Sequence, residues 1–454
     1  MQKKSRRGFI RQTVALGSYA MTFWMDAPEG MAQGGPECTL PTPAAPVQFI
    51  PNEPKVVMRY SAAELGQPGR ATQLANLRKG IGAVRAMPQN DVRGWTKQIA
   101  QHCIDCARPN SNNVHWNWQF VPWHRAMLYF LERIMRSQTG VDDIRLCYWD
   151  WENSASRVLP AIYAPSGQSL YWANRSSGKP NWPLSDDDVD VQPALSVPTF
   201  NLFGGTAVQR SPTPIAYSGP HASVHNAFAP GDMADLQYSP RDPVFYAHHS
   251  NIDRLWSSWV AAGHSNPDFK DAKVYFYDEK SVWRYVLMND VRDEKKLGYQ
   301  YSSLMRSASA APANLRLTSM RRTNAASLQM DANEVATVAA KPQTPRFLLA
   351  QNIQGLDKFA ADTTRFGVFD VNPAVGTDSH TDKGFLGKFS RVLSSGHEHE
   401  TGPLSAALNV TGKLTGVVAA NKGSLKLVVA PLDANGKTTA AGIPLGADDV
   451  SIVE

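Results

Sequence analysis

The chain has 454 residues, 43% of them hydrophobic and 12 of them Trp, enough for two or three domains and a sizeable core. That balance excludes a disordered or fibrous chain. The formal charge is +6, and residues 1–32 contribute +3 of it, with Lys3, Lys4, Arg6, Arg7 and Arg11 set against Asp26 and Glu29; the remainder is too weakly basic for a nucleic-acid partner.

The first element reads as an address. Ser5-Arg6-Arg7-Gly8-Phe9-Ile10 is a twin-arginine pattern, followed by an apolar run over 13–25 and a small-residue exit at Gly30-Met31-Ala32. A signal peptide over 1–32 is expected, with the twin-arginine export machinery as partner and a periplasmic or secreted destination. The run is too short to span a bilayer, so no stable membrane anchor is expected.

A Pro-rich lead over 36–54 carries Cys38, and helices are expected over 61–87 and 91–103. In the second, Trp95, Ile99 and His102 fall at i, i+4 and i+7, one buried stripe. Cys103-x-x-Cys106 could be a redox pair or half a zinc site, but no second CxxC completes a zinc site and the preceding pattern is helical, not the strand of a thioredoxin-like unit. Pro122 opens a helix with His124, Leu128, Leu131 and Met135 along one face, and His115 lies just before it among aromatics.

Residues 153–220, rich in Pro, Gly, Ser and Asn and carrying Asp186-Asp187-Asp188, read as long surface loops. His221 and His225 follow at i, i+4 on a short helix. The run 242–256, DPVFYAHHSNIDRLW, sets His248 and His249 in an apolar helix. Successive helical residues diverge by about 100°, so only one of the pair can aim at the same metal. His249 is the choice, because Asp253 lies one turn beyond it, placed to orient an imidazole; His248 borders the cavity or packs. Residues 273–301 look like an aromatic-rich extension closing this domain. Residues 302–344 have the composition of a linker. Past 345, short apolar runs between Gly, Asn and Asp turns predict a small β-sandwich.

Six inward imidazoles in two groups of three describe two metal ions in nitrogen-only shells. Copper, zinc, iron and nickel accept imidazole, but a dinuclear hydrolase or di-iron site would include bridging carboxylates, and none lies at ligand spacing. Neutral nitrogen shells favour copper, and an open pair of coppers is suited to O2.

The segments HCIDC (102–106), His115 through PWHRAMLYF (122–130), PHASVHN (220–226) and DPVFYAHHSNIDRLW resemble the copper A and copper B motifs of tyrosinases and polyphenol oxidases. The pattern is most similar to plant-type catechol oxidases and extends through YFYDE, KKLGYQY and FGVFDV, covering roughly 38–454. The resemblance implies a mainly α catalytic domain over 33–301, a four-helix bundle cradling a dinuclear type 3 copper site, then the 302–344 linker and a β-sandwich lid over 345–454. It implies His102, His115 and His124 on copper A, His221, His225 and His249 on copper B, a thioether from Cys106 to His115, and a disulfide from Cys103 to Cys38. Cys147 is left as a buried thiol.

The implied activity is oxidation of small o-diphenols to o-quinones, with O2 as co-substrate reduced to water. Relatives that also hydroxylate monophenols pair an asparagine after the second copper B histidine with a glutamate four residues before the first, holding a water as base. Asn226 matches, whereas Tyr217 stands at the glutamate position, so diphenol oxidation with weak monophenol hydroxylation is expected. Leu236 matches the aromatic gate over copper A and is smaller than Phe. An o-aminophenol oxidase and a non-enzymatic haemocyanin-like O2 carrier share the ligand set and are the alternatives. His397-Glu398-His399 reads as a solvated turn.

Overall fold

The computed structural model describes residues 38–107, 113–176, 182–308, 315–324, 327–394 and 402–454. The signal segment and His397-Glu398-His399 lie outside them.

The expected helix over 61–87 divides in two. Ser61 and Glu64 form a reciprocal capping box on a four-residue turn, and Gly66 and Pro68 interrupt the chain before helix α1, Ala71–Arg85. Helix α1 lays Leu77, Ile81 and Val84 against the core. A Cβ on Gly80 would come within 2.9 Å of the Met135 sulfur, so glycine is what lets the two helices meet there. Helix α2, Trp95–His102, buries the predicted stripe.

Helix α3, Phe120–Thr139, starts before Pro122 and ends where Gly140 adopts φ +68°, its N–H closing on Arg136 O at 2.9 Å. Short helix α4, Ala222–Ala227, and helix α5, Val244–Ala261, complete the core around the site. From Val244 to Trp259 every residue of α5 is buried, which is why its histidines face protein on all sides.

Helices α3 and α5 are fastened by buried charge. Arg125 of α3 donates through Nε to Asp253 of α5, and Arg59 donates to Asp253 at 3.2 Å and to Glu132 at 2.9 Å. Tyr299 donates its hydroxyl to Asp253 at 2.6 Å. Burial alone would raise the Asp253 carboxyl, but the Arg125 and Arg59 guanidiniums outweigh it and hold it below the usual carboxylate range. Asp253, expected to orient an imidazole, thus has its carboxylate committed to Arg125, Arg59, Tyr299 and Tyr301 instead.

Residues 153–220 are not merely surface loops. They carry short helices at Asp186–Val189, Gln192–Ser196 and Phe200–Phe203, with Trp182, Leu195, Val197 and Phe203 buried. Ser185 caps the first of these helices, and the four buried apolar side chains joined the core although no periodicity marks them.

The 302–344 segment is also more built than a linker. Tyr148 and Ser302 share a hydroxyl contact at 2.8 Å, Arg254 donates to Ser303 O at 2.7 Å, and Met305 N donates to Ser258 Oγ at 2.9 Å. Farther on it forms strands Leu317–Ser319, Arg321–Asn324 and Ser327–Gln329 and the helix Ala332–Ala340.

The C-terminal part holds two four-stranded antiparallel sheets. One runs Phe385–Ser390, Arg365–Phe369, Val428–Leu432, Ile443–Pro444; the other runs Leu404–Asn409, Phe347–Ile353, Asp449–Val453, Leu317–Ser319. Gly387 of the first lies against Leu408 of the second, a Cβ there meeting the Leu408 side chain at 3.2 Å. The predicted order, helical core then β-sandwich, is the one observed.

Candidate metal centre

Seven buried histidines and one buried cysteine form two clusters. In the first, ligand atoms of His102, Cys106, His115 and His124 lie within 4.8 Å of one another; in the second, those of His221, His225, His248 and His249 do. The clusters face each other: the rings of His124 and His249 stack with centroids 4.2 Å apart, and those of His115 and His221 lie 5.5 Å apart.

Backbone carbonyls set the orientation of four rings. The Nδ1–H groups of His115, His124, His221 and His225 donate to Cys106 O, Phe120 O, Tyr217 O and Met233 O at 3.2, 2.7, 3.3 and 2.6 Å. A proton fixed on Nδ1 leaves the lone pair on Nε2. The Nε2 atoms of His102, His115, His124 and His221 are buried without a hydrogen-bond partner, and those of His225 and His249 approach to 3.4 Å. Burial pushes His124 down to about 3 and His225 to about 4; it lowers the other rings well below the usual histidine range, with neighbouring imidazoles adding to the effect. Neutral, orphaned nitrogens converging without a carboxylate are a donor set that fits copper.

The cysteines divide as the resemblance implied in one respect: Cys38 is disulfide-bonded to Cys103, with Cα atoms 5.4 Å apart, which ties the lead to the residue after His102. Cys106 and Cys147 are buried free thiols. Burial raises the Cys147 thiol to about 11, and its sulfur lies 3.3 Å from the Tyr163 hydroxyl.

Tyr217, Asn226 and Leu236 are all buried, and each meets the same stretch of the C-terminal part. Val392 N donates to the Tyr217 hydroxyl at 3.3 Å, Asn226 Nδ2 donates to Arg391 O at 2.9 Å, and Leu236 N donates to Leu393 O at 2.9 Å. The Leu236 and Val392 side chains pack together beside Cys103 and Ala222. The Tyr217 ring lies 5.2 Å from that of His221 and 5.4 Å from that of His115. Sequence reading missed residues 391–393 because no motif marks them; only the fold brings them to Tyr217, Asn226 and Leu236. His248, expected to border the cavity or to pack, has a nitrogen among those of the second cluster.

A helical core holding two facing, nitrogen-lined clusters, ahead of an antiparallel β-sandwich, defines a protein built for a metal pair. A profile described as the common central domain of tyrosinase matches residues 92–214 and 191–262, and one for the polyphenol oxidase middle domain matches 264–311. The chain belongs to the tyrosinase and polyphenol oxidase family, in its plant-type architecture.

It is 30% identical to aureusidin synthase of Antirrhinum majus over 62% of this chain and 57% of that one. It is 26% identical to the latent form of a chloroplastic polyphenol oxidase of Prunus armeniaca, over 82% of this chain and 73% of that one. The structure of latent apple tyrosinase shares the fold, with a TM-score of 0.64 at 23% identity over 90% of this chain and 99% of that chain. The match thus spans little more than half the length of the first of these relatives. No helix among the described residues is long and apolar enough to cross a membrane.

Proposed function

We propose that this chain oxidises o-diphenols to o-quinones, with O2 reduced to water, at a copper pair held by His102, His115 and His124 on one side and His221, His225 and His249 on the other. The observation that carries the reading is the set of buried, partnerless Nε2 atoms, oriented by Nδ1–H donation to carbonyls. Bound copper would supply the redox couple between the phenol and O2. The protein holds neutral imidazoles in fixed tautomers, excludes water, and surrounds the site with rings such as Phe245, 5.0 Å from His102 and 4.2 Å from His249.

Monophenol hydroxylation is weak in this reading. A phenol of pKa about 10 needs a base, and Tyr217 offers a hydroxyl where a carboxylate would hold the water; Asn226 is turned to Arg391 O. The C-terminal part acts as a lid, with residues 391–393 seated on Tyr217, Asn226 and Leu236. Cys106 forms the thioether to His115 once copper is present. The twin-arginine segment directs the folded protein across the membrane to the periplasm.

The test is oxygen uptake with catechol by the copper-loaded chain, before and after limited proteolysis that removes the C-terminal part. Uptake that appears or rises on cutting supports both oxidase and lid. Equal uptake retains the oxidase and discards the lid. Reversible O2 binding with no turnover in either form replaces the enzyme by an O2 carrier.

A further inference from the structure

His248 has no place in the six-ligand scheme, yet it is fully buried and has a nitrogen within 4.8 Å of those of His221, His225 and His249. Its Nδ1 lies 3.2 Å from the Trp151 indole nitrogen, which donates to it. An indole N–H cannot accept, so Nδ1 must carry the lone pair and the ring proton of the neutral imidazole must sit on Nε2. With Nδ1 occupied and Nε2 protonated, neither nitrogen is a ligand. Trp151 thereby settles, on bonding grounds, which of the two adjacent histidines is free to bind metal.

The Nε2–H is left buried without a hydrogen-bond partner. The His221 backbone favours the protonated ring as a weak acceptor does, while Nε2–H forms no hydrogen bond of good geometry to it. The ring stacks at 25° on that of His221, centroids 5.5 Å apart, and meets that of His225 edge-on at 4.8 Å. A buried donor without a well-formed hydrogen bond is costly unless something completes it.

We infer that His248 is a tautomer-locked donor that gives its Nε2–H to an anionic oxygen held at the second cluster, the phenolate oxygen of the substrate. The phenolate rests on the oxidase reading above; the donor role does not. Trp151 is the positioning residue that makes the donor.

The experiment compares His248→Phe, which removes the donor, His248→Gln, which keeps an N–H, and Trp151→Phe, which releases the tautomer. Copper per chain, azide affinity of the copper-loaded protein and KM and kcat for catechol are measured in each, and ring 15N shifts are read on the metal-free wild type. The inference predicts two coppers per chain in all four proteins and Nε2–H as the wild-type tautomer. His248→Phe should weaken azide binding and raise KM by about tenfold, with kcat less affected, and His248→Gln should recover most of both. Loss of one copper in both His248 variants would make His248 a ligand and overturn the inference, as would an Nδ1–H tautomer or unchanged azide affinity in His248→Phe. If catechol is not oxidised at all, the oxidase reading fails, while tautomer, copper content and azide affinity still decide the donor.

Discussion

The Tyr217 hydroxyl accepts a hydrogen bond from the Val392 backbone N–H at 3.3 Å, although 175 residues separate them. In the proposed reading Tyr217 stands at the position of the water-holding base, and its hydroxyl is engaged by the Val392 backbone of the C-terminal part. Tyr217→Phe keeps the ring beside His115 and His221 and removes the acceptor. One hydrogen bond contributes about 1 kcal/mol, so catechol-dependent oxygen uptake by the uncut, copper-loaded chain is expected to rise roughly fivefold, with faster amide exchange at Val392. Unchanged uptake with faster exchange would mean that the segment does not control access.

Tyr217→Glu tests the other half of the same position. In protein freed of its C-terminal part, a carboxylate there with Asn226 has the components to hold a water as base. The ratio of monophenol to diphenol turnover is expected to rise at least severalfold. An unchanged ratio would remove the missing base from the proposed account of hydroxylation.

The histidines were legible because ligand chemistry is local: i, i+4 spacing on α4 and a His pair inside a helix buried on every side put imidazole nitrogens where water cannot satisfy them. Asp253 was misread because its partners are not local. Helical spacing put it on the face of His249, but nothing nearby in the chain announces Arg125, Arg59, Tyr299 and Tyr301, which arrive from other elements and take its oxygens. The tautomer of His248 depends on Trp151, 97 residues away. The contacts of residues 391–393 depend on a β-sandwich whose strands carry no site motif.

Asp253→Asn should therefore unsettle the fold more than the metal. The change leaves Arg125 and Arg59 buried beside a neutral amide, and breaking such a pair costs about 3–5 kcal/mol. A thermal midpoint lowered by roughly 5–10 °C, with two coppers still bound per chain at low temperature, is the expected result. Loss of copper without loss of thermal stability would return Asp253 to the role of orienting an imidazole.

The acidic run 186–188, expected on a surface loop, supplies a pH-dependent tie. Lys388 of the C-terminal part reaches Asp188 at 2.7 Å, and only 8% and 15% of the two side chains are exposed. Burial raises the Asp188 carboxyl, but the Lys388 ammonium and Ser185 outweigh it, so it sits below the usual carboxylate range. A folded value below the unfolded one stabilises the pair above the ordinary range of about 4, and that contribution is lost as pH falls through the folded value. Amide exchange over 385–394 should accelerate below about pH 4. Lys388→Ala should show accelerated exchange already at neutral pH and a flatter acid response; a wild-type profile in that variant would show that the pair does not hold the sheet.

Cys106 carries the last prediction. Its thiol is raised well above the usual range by burial and by Asp105, so in the metal-free chain it is protonated and unreactive. Its sulfur nevertheless lies within 4.8 Å of a His115 nitrogen, and Asn113 Nδ2, which donates to Cys106 O at 2.7 Å, together with His115 Nδ1 on the same carbonyl, holds the two residues side by side. Joining Cys106 sulfur to a His115 ring carbon breaks one S–H and one C–H bond and releases two protons and two electrons, and copper with O2 would accept the electrons. The denatured metal-free chain should therefore alkylate at both Cys106 and Cys147. Protein loaded with copper in air should alkylate only at Cys147 and yield a crosslinked peptide pair lighter by two hydrogens. Full alkylation of Cys106 after loading would show that proximity to His115 is packing alone.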